Sequence, residues 1–214
     1  MNIDAVLKIG GSLSRGLGLP ALCGEIGLLS KRHSLVVVPG GGDFAEQVRA
    51  ADRRFSLEPT AAHRMAVLAM DQYAYVLNQL IPNCCLTADL NDACEFAASG
   101  KTAILLPAAI IAKEDPLPHS WLVSSDSIAA WLSARVGCRL LILLKDVDGL
   151  LDSNGLIEGL TVQELAGRAG GVDEYLSNVL SQTRLETWIV NGLHPERLSE
   201  LFATGRTRGT RIPS

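Results

Sequence analysis

The chain has 214 residues, of which 48% are hydrophobic and 20% are charged, and its formal net charge is −4. This composition excludes a disordered chain and fits one well-buried domain or at most two small ones. The small negative charge gives no support to a nucleic-acid partner. An anionic ligand would therefore have to be bound by local charge and backbone dipoles.

Short apolar segments alternate with helical patterns along almost the whole chain. The segments with strand character are Ala5–Ile9, Leu35–Val38, Thr102–Leu106, Arg139–Leu144 and Thr187–Val190. The stretches with helical spacing are Leu19–Lys31, Phe44–Arg54, Thr60–Leu80, Ile128–Val136, Val172–Ser181 and Pro195–Thr204. Nearly all-apolar strands are typical of parallel sheets that are covered on both faces.

This alternation predicts an α/β fold, a three-layer αβα sandwich with a central, mostly parallel sheet. No linker, repeat or low-complexity segment interrupts residues 1–214, so we expect a single domain. Two prolines predict a loop over Lys113–Ser120, and the sequence D-S-N-G predicts a turn or small hairpin at Asp152–Gly155.

Cysteine and histidine patterns give no sign of a metal site. The five cysteines are odd in number and form no C-x-x-C pair, and no H-E-x-x-H occurs. Buried, reduced thiols and no dedicated metal ligands are the expectation. The chain opens with no signal peptide, and no apolar run approaches about 18 residues. We therefore predict a cytoplasmic protein without a membrane partner.

Two glycine turns, each at the end of an apolar strand, are the most informative motifs. Glycine lets the backbone turn sharply and bring its amides against an anion. A lysine inside the first strand, Lys8, is costly to bury unless it meets such an anion. The pattern predicts a phosphate site with Lys8 as a ligand. The turn residues are Gly10, Gly11 and Ser12 in the first turn and Gly40, Gly41 and Gly42 in the second.

Two further motifs carry charged residues at places suited to a site. In S-S-D-S-I-A-A, Asp126 lies at a predicted helix N-terminus, where it either complements the helix dipole or orients Lys8. The sequence K-D-V-D-G follows the most apolar strand. It is either a solvated turn or a segment that binds the ribose and phosphates of a nucleotide, through Lys145, Asp146, Asp148 and Gly149.

The ordered motifs K-x-G-G-S, P-G-G-G, S-D-S-I-A-A, K-D-V-D-G-L and G-T-R-I resemble those of the amino acid kinase superfamily over nearly the whole chain. The resemblance implies a kinase that uses ATP and Mg²⁺, and a homo-oligomer. It also implies that Lys8 contacts the transferred phosphoryl group, that the glycine turns supply amides, and that Asp126 orients the lysines. The segment that begins at Lys145 would line the nucleotide site.

One departure from the superfamily concerns a second catalytic lysine. Members often carry it after a G-G-M type turn, whereas Gly170-Gly171-Val172-Asp173 contains no lysine here. Lys145 is the nearby substitute. The missing lysine also keeps open a second class of function, a non-catalytic nucleotide-binding sensor.

A narrower resemblance points to a small branch of this superfamily. That branch is found in methanogens and methylotrophs and acts in methanofuran-type cofactor biosynthesis. That branch phosphorylates a furan-methanol phosphate that carries an aminomethyl group. Its resemblance rests on G-G-G-D-F-A, the helix that contains His63, and V-N-G-L-H-P-E-R. We expect Asp43 to pair with the ammonium and His63, Met70 and Tyr73 to touch the ring. The alternatives are a surface charge for Asp43 and ordinary helix packing for Met70 and Tyr73.

The kind of acceptor is constrained by the absence of a convincing general base. A phosphate acceptor is already ionised near neutral pH, so positioning and charge neutralisation suffice. The same reasoning leaves uridylate and isopentenyl phosphate open as acceptors, and an amino acid remains a further alternative.

Overall fold

The computed structural model describes residues 3–168 and 170–214. Its strands are β1 (Ala5–Ile9), β2 (Leu35–Pro39), β3 (Cys84–Thr87), β4 (Thr102–Leu105), β5 (Leu140–Lys145), β6 (Leu151–Asp152), β7 (Gly155–Leu156), β8 (Glu186–Asn191) and β9 (Gly209–Ile212). Seven of them form one sheet in the order β3-β4-β2-β1-β5-β8-β9. All neighbours in this sheet are parallel except β8 and β9, and β6 and β7 form a separate hairpin.

Helices cover both faces of the sheet. They are α1 (Leu19–Leu29), α2 (Gly42–Phe55), α3 (Pro59–Leu80), α4 (Leu90–Ala98), α5 (Pro107–Glu114), α6 (Ser125–Arg135), α7 (Val162–Leu165), α8 (Leu176–Ser181) and α9 (Glu196–Thr204), with a short 3₁₀ helix at Gly11–Arg15. One core lies between the sheet and α4, α5, α6 and α8, and the other lies between the sheet, α1 and α9. None of the described helices has the length and apolar character needed to cross a membrane.

The predicted fold class is confirmed, and the five predicted strands are present to within a residue or two at each end. The predicted turn at Asp152–Gly155 is the tip of the β6–β7 hairpin. The elements that the sequence did not predict are β3, α4, α5, α7, β9 and the 3₁₀ helix at Gly11–Arg15. The predicted helix at Val172–Ser181 begins only at Leu176.

Side-chain alternation along the central strands determines which residues reach each face. Ala5, Leu7 and Ile9 pack into the core beside α1, whereas Val6 packs into the core beside α6. Because side chains in a strand alternate between faces, Lys8 projects on the same side as Val6. The period of two therefore directs this lysine toward α6.

Glycine is required where the two predicted turns meet. A Cβ on Gly11 would overlap the backbone nitrogen of Gly42 and lie 2.6 Å from its Cα atom. A Cβ on Gly40 would lie 2.7 Å from the nitrogen of Gly11 and 2.9 Å from the oxygen of Ile9. The obstacles are backbone atoms, so the absence of side chains allows the two turns to touch directly.

We predict that Gly11→Ala separates the turns and destabilises the fold by about 1–3 kcal/mol, the usual cost of overpacking. The matched control is Gly24→Ala in α1, where a Cβ meets nothing within 4 Å. It should be neutral or stabilising by up to about 1 kcal/mol because alanine favours helix. Urea unfolding measures both effects, and equal stability of the two variants would contradict the direct packing of the turns.

Candidate active site

A buried aspartate between two lysines lies at the carboxyl ends of β1 and β5. Lys8 Nζ is 2.8 Å from Asp126 Oδ1, and Lys145 Nζ is 2.7 Å from Asp126 Oδ2. The side chains of Lys8 and Asp126 are 5% and 2% exposed, and that of Lys145 is 16% exposed. Two positive charges thus share one negative charge, which leaves a net positive charge suited to an anionic ligand.

Strand register explains why the two lysines meet. Leu143 pairs with Lys8 across the parallel strands, and Lys145 follows two residues later on the same face of β5. Both ammonium groups therefore point toward the start of α6, where Asp126 lies in the first turn. The sequence prediction of Lys145 as a substitute cation agrees with this placement.

The protonation states of this group follow from burial and charge. Burial lowers the pKa of the Lys8 ammonium, although the charge of Asp126 opposes the shift. Burial alone would raise the pKa of Asp126, but Lys8 and Lys145 outweigh it and hold the pKa below its ordinary value. Asp126 therefore stays ionised at neutral pH and holds both lysines in place.

The start of α6 is fixed by a residue that the sequence did not single out. Oδ2 of Asp173 accepts hydrogen bonds from the backbone nitrogens of Ser124 and Ser127, at 3.0 and 2.9 Å, and from the Ser124 hydroxyl at 2.7 Å. Its Oδ1 accepts from the Ser127 hydroxyl. The Ser124 hydroxyl also accepts a hydrogen bond from the Asp126 nitrogen. Asp173 thus fixes the first turn of α6 and thereby positions Asp126.

The glycine turns adjoin this charged group, but their amides differ in availability. The nitrogen of Gly10 donates to Leu144 O, and that of Gly40 donates to Ile9 O, both at 2.8 Å. These hydrogen bonds already engage both amides, and phosphate binding by Gly10 and Gly40 stays a prediction. Both glycines also allow close packing, since a Cβ on Gly10 would lie 2.8 Å from Leu144 O.

The amides at the starts of the 3₁₀ helix and α2 have no hydrogen-bond acceptor within their own helices. The first N–H groups of any helix have no intrahelical acceptor. The 3₁₀ helix begins at Gly11, and α2 begins at Gly42. Phosphate binding by Gly11, Ser12, Gly41 and Gly42 stays a prediction.

A cavity extends from the second glycine turn along α2 and α3. Its wall combines one cation, one histidine and one indole with apolar side chains and two serines that precede Asp126. The lining residues are Gly41, Ala45, Arg49, His63, Ala66, Val67, Met70, Trp121, Val123, Ser124, Ser125 and Ile128. Its contact with both Gly41 and Ser125 makes it the candidate acceptor site.

His63 and Met70 line this cavity, whereas Tyr73 lies in the core beside α1, and contact of His63 and Met70 with a substrate ring stays a prediction. Burial lowers the pKa of His63, so its imidazole is neutral at pH 7. The ring stacks on His119 with centroids 4.6 Å apart, and its Nε2 has no hydrogen-bond partner among the described residues. His119 is held by Asp115 Oδ1 at 2.7 Å.

Asp43 lies outside that cavity. Its Oδ1 accepts a hydrogen bond from Arg15 Nε at 2.8 Å, and both side chains are solvent-exposed. Its spacing from Ala45 and Arg49 places it on another side of α2, because residues in a helix turn by about 100° each. Recognition of an ammonium by Asp43 stays a prediction, and it requires exchange of Arg15 for the ligand.

The predicted nucleotide segment shows two kinds of residue. Asp146 is exposed, whereas Asp148 accepts hydrogen bonds from Asn191 Nδ2 at 2.9 Å, Arg197 Nη1 at 2.6 Å and Arg208 Nε at 2.9 Å. These contacts lower the pKa of Asp148 and give it a structural role that the sequence did not predict.

Position 149 requires glycine, because its φ is +150° and a Cβ there would lie 2.8 Å from a Leu156 side-chain carbon. It lines a cavity of about 260 Å³ beside the glycine pair of the Gly170-Gly171 turn. Nucleotide contact by Lys145, Asp146, Asp148 and Gly149 stays a prediction. No group of three or more metal-ligating side chains occurs among the described residues.

Comparisons with known proteins agree with this arrangement. The sequence profile of the amino acid kinase family matches residues 5–183. The chain is 32% identical to [5-(aminomethyl)furan-3-yl]methyl phosphate kinase of Methanocaldococcus jannaschii over 204 residues, which is 92% of each chain. Among solved structures, uridylate kinase of Archaeoglobus fulgidus is similar at a TM-score of 0.77 and 20% identity, covering 98% of this chain and all of that one. UMP kinase of Ureaplasma parvum is similar at 0.79 and 15% identity, with both chains fully covered.

We predict that Asp126→Asn destabilises the fold by about 3–5 kcal/mol, because it leaves two lysines together without a counter-charge. Glu95→Gln, an exposed change on α4, is the control and should have no effect. The pKa of Asp126 is lowered on folding, so its contribution is complete above about pH 4 and is lost as the pH falls through the folded-state value. Urea unfolding across this pH range tests both claims, and parallel pH curves for wild type and Asp126→Asn would contradict them.

We predict that Lys8→Ala and Lys145→Ala each lower kcat by about two to three decades, the usual cost of one lost contact to transition-state charge. Lys101→Ala, an exposed change beside β4, is the control and should retain wild-type kcat. Steady-state kinetics on folded protein measures the effect. If either site variant keeps at least half of the wild-type kcat, the substituted lysine takes no part in the reaction.

Proposed function

Because the chain belongs to the amino acid kinase family, we propose that this phosphotransferase moves the γ-phosphoryl group of ATP onto a small phosphate monoester. The favoured acceptor is [5-(aminomethyl)furan-3-yl]methyl phosphate, on which the Methanocaldococcus jannaschii relative is named to act. The product would be the corresponding diphosphate, formed in methanofuran-type cofactor biosynthesis. The observation that carries the proposal is the buried group of two lysines on Asp126 beside the cavity.

The chemistry needs few catalytic parts. An acceptor phosphate oxygen attacks the γ-phosphorus, the bond from that phosphorus to the bridging oxygen breaks, and ADP leaves. The acceptor is largely ionised at pH 7, since the second pKa of a phosphate monoester is about 6, so no residue has to remove a proton. Lys8 and Lys145 would neutralise charge on the transferred group. Asp126 would keep both ammonium groups at fixed positions without reorganisation.

Mg²⁺ would enter with the nucleotide. Such an ion usually retains several waters and binds through phosphates and one or two carboxylates. The described residues hold no cluster that would ligate it alone, so we assign it no protein-bound site. The ion would supply further charge neutralisation on the phosphates. A homo-oligomer, implied by the sequence resemblance, and a cytoplasmic location, expected from the sequence pattern, remain predictions.

The direct test offers purified protein Mg-ATP with a panel of acceptors and follows ADP. The panel contains the aminomethyl-furan phosphate, its unphosphorylated alcohol, uridylate, isopentenyl phosphate and an amino acid. We expect the furan phosphate to give the highest kcat/KM. Higher activity on another panel member would transfer the assignment to that acceptor. Nucleotide binding without turnover on any acceptor would favour the sensor.

We predict that Asp43→Asn lowers kcat/KM for the amine-bearing acceptor by about one to two decades, the value of a charge-assisted contact. KM for ATP should stay near wild type, and the des-amino acceptor should be used poorly by both proteins. The control is Arg15→Gln, which frees the Asp43 carboxylate. It should leave kcat/KM for the amine-bearing acceptor unchanged or raise it. Equal losses in Asp43→Asn and Arg15→Gln would mean that the pair is structural.

A further inference from the structure

We propose that Arg49, stacked on Trp121, binds the phosphate that the acceptor already carries and so selects phosphate monoesters over alcohols. The inference rests on the proposed function and deepens it by naming the residue that recognises the phosphate of the acceptor. Lys8 and Lys145 would contact the transferred group beside Asp126, whereas Arg49 lines the neighbouring cavity, which reaches Gly41 and Ser125.

Helical spacing brings Arg49 to the cavity. Gly41, Ala45 and Arg49 follow one another at intervals of four residues, and all three line the wall. They form one stripe of α2 that runs from the glycine turn outward. Side chains in a helix tilt toward its N-terminus, so the arginine leans back toward Gly41. A ligand seated at Gly41 would therefore find this guanidinium above it.

The guanidinium lies over an aromatic ring that is itself fixed by a hydrogen bond. Its Cζ atom lies 4.3 Å from the centroid of the Trp121 ring. The indole nitrogen donates to Asp52 Oδ2 at 2.6 Å, and Asp52 Oδ1 accepts from the Leu57 nitrogen at 3.0 Å. Stacking occupies the face of the guanidinium and leaves its in-plane N–H groups free for an anion.

Those N–H groups have little competition within the part of the chain that the structure describes. Among the described residues, the one carboxylate within 4.0 Å of the Arg49 guanidinium is Glu46, whose Oε1 lies 3.6 Å from Nε, which is too long for a hydrogen bond. Arginine is the side chain that matches phosphate with two parallel hydrogen bonds. His63 is neutral, so Arg49 is the one charged side chain in this cavity wall. That charge suits a phosphate and disfavours an ammonium here.

The kinetic test compares Arg49→Gln and Arg49→Lys with Arg53→Gln, an exposed arginine on the same helix. Arg49→Gln should raise KM for the furan phosphate roughly ten- to hundredfold, the loss expected for a charge-assisted hydrogen bond. KM for ATP and turnover of the unphosphorylated alcohol should not change. Arg49→Lys should recover part of the affinity, because lysine keeps the charge but not the bidentate geometry. Arg53→Gln should match wild type.

A binding test avoids activity altogether. The furan phosphate, added without ATP, should change Trp121 fluorescence in wild type, because it binds the cation that covers the ring. Trp121→Phe should abolish the fluorescence change, which assigns the signal to this residue. Arg49→Gln should shift the midpoint of the titration to an at least tenfold higher concentration of the furan phosphate. Inorganic phosphate should give the same signal more weakly.

Two results would overturn the inference. One is a KM for the furan phosphate in Arg49→Gln equal to that in Arg53→Gln. The other is an equal loss on phosphorylated and unphosphorylated acceptors, which would show that Arg49 only supports the fold. If wild type phosphorylates no phosphate monoester, the proposed function itself fails, and the acceptor panel reports that before any variant is made.

Discussion

The charged group formed by Lys8, Asp126 and Lys145 is the constraint on which the rest of the site depends. A buried lysine is unfavourable, and two adjacent ones are more so, unless an anion lies between them. Asp126 meets that need, and the phosphates of the proposed substrates would neutralise the remaining positive charge. The strands fix the two lysines and the helix start fixes the aspartate, so the layered fold itself determines the electrostatics.

Two other features serve this arrangement. Direct contact of the glycine turns at Gly11 and Gly40 brings the starts of the 3₁₀ helix and α2 next to the lysines. Asp173 binds the first turn of α6 from a segment almost fifty residues later. Where the sequence resemblance implies a second lysine, this chain has a carboxylate that orients a helix, and Lys145 of β5 would supply the cation under the proposed function. The two changes are compatible because Asp126 has two oxygens, one for each lysine.

The sequence predicts what depends on local pattern. Apolar runs reveal the central strands, the glycine turns reveal the sharp bends, and Lys8 stands out because its apolar strand makes it costly to bury. The position of Arg49 on the same helix face as Gly41 and Ala45 could have been predicted from the sequence, since the three residues are spaced four apart. The role of Trp121 was not, because it depends on a contact with Asp52 that is 69 residues away. The same holds for Asp148, whose partners lie more than forty residues later. The amides of Gly10 and Gly40 look free in the sequence and are occupied in the sheet.

The reversed direction of β9 decides where the chain end emerges. Gly209 pairs with Val190 near the carboxyl end of β8, and Ile212 pairs with Thr187 near its start. The final residues therefore leave the sheet at the edge opposite Lys8 and Lys145. A dye or a surface linker attached at Ser214 would stand a full strand length away from the edge that holds Lys8 and Lys145. Attachment there would keep the linker clear of both lysines.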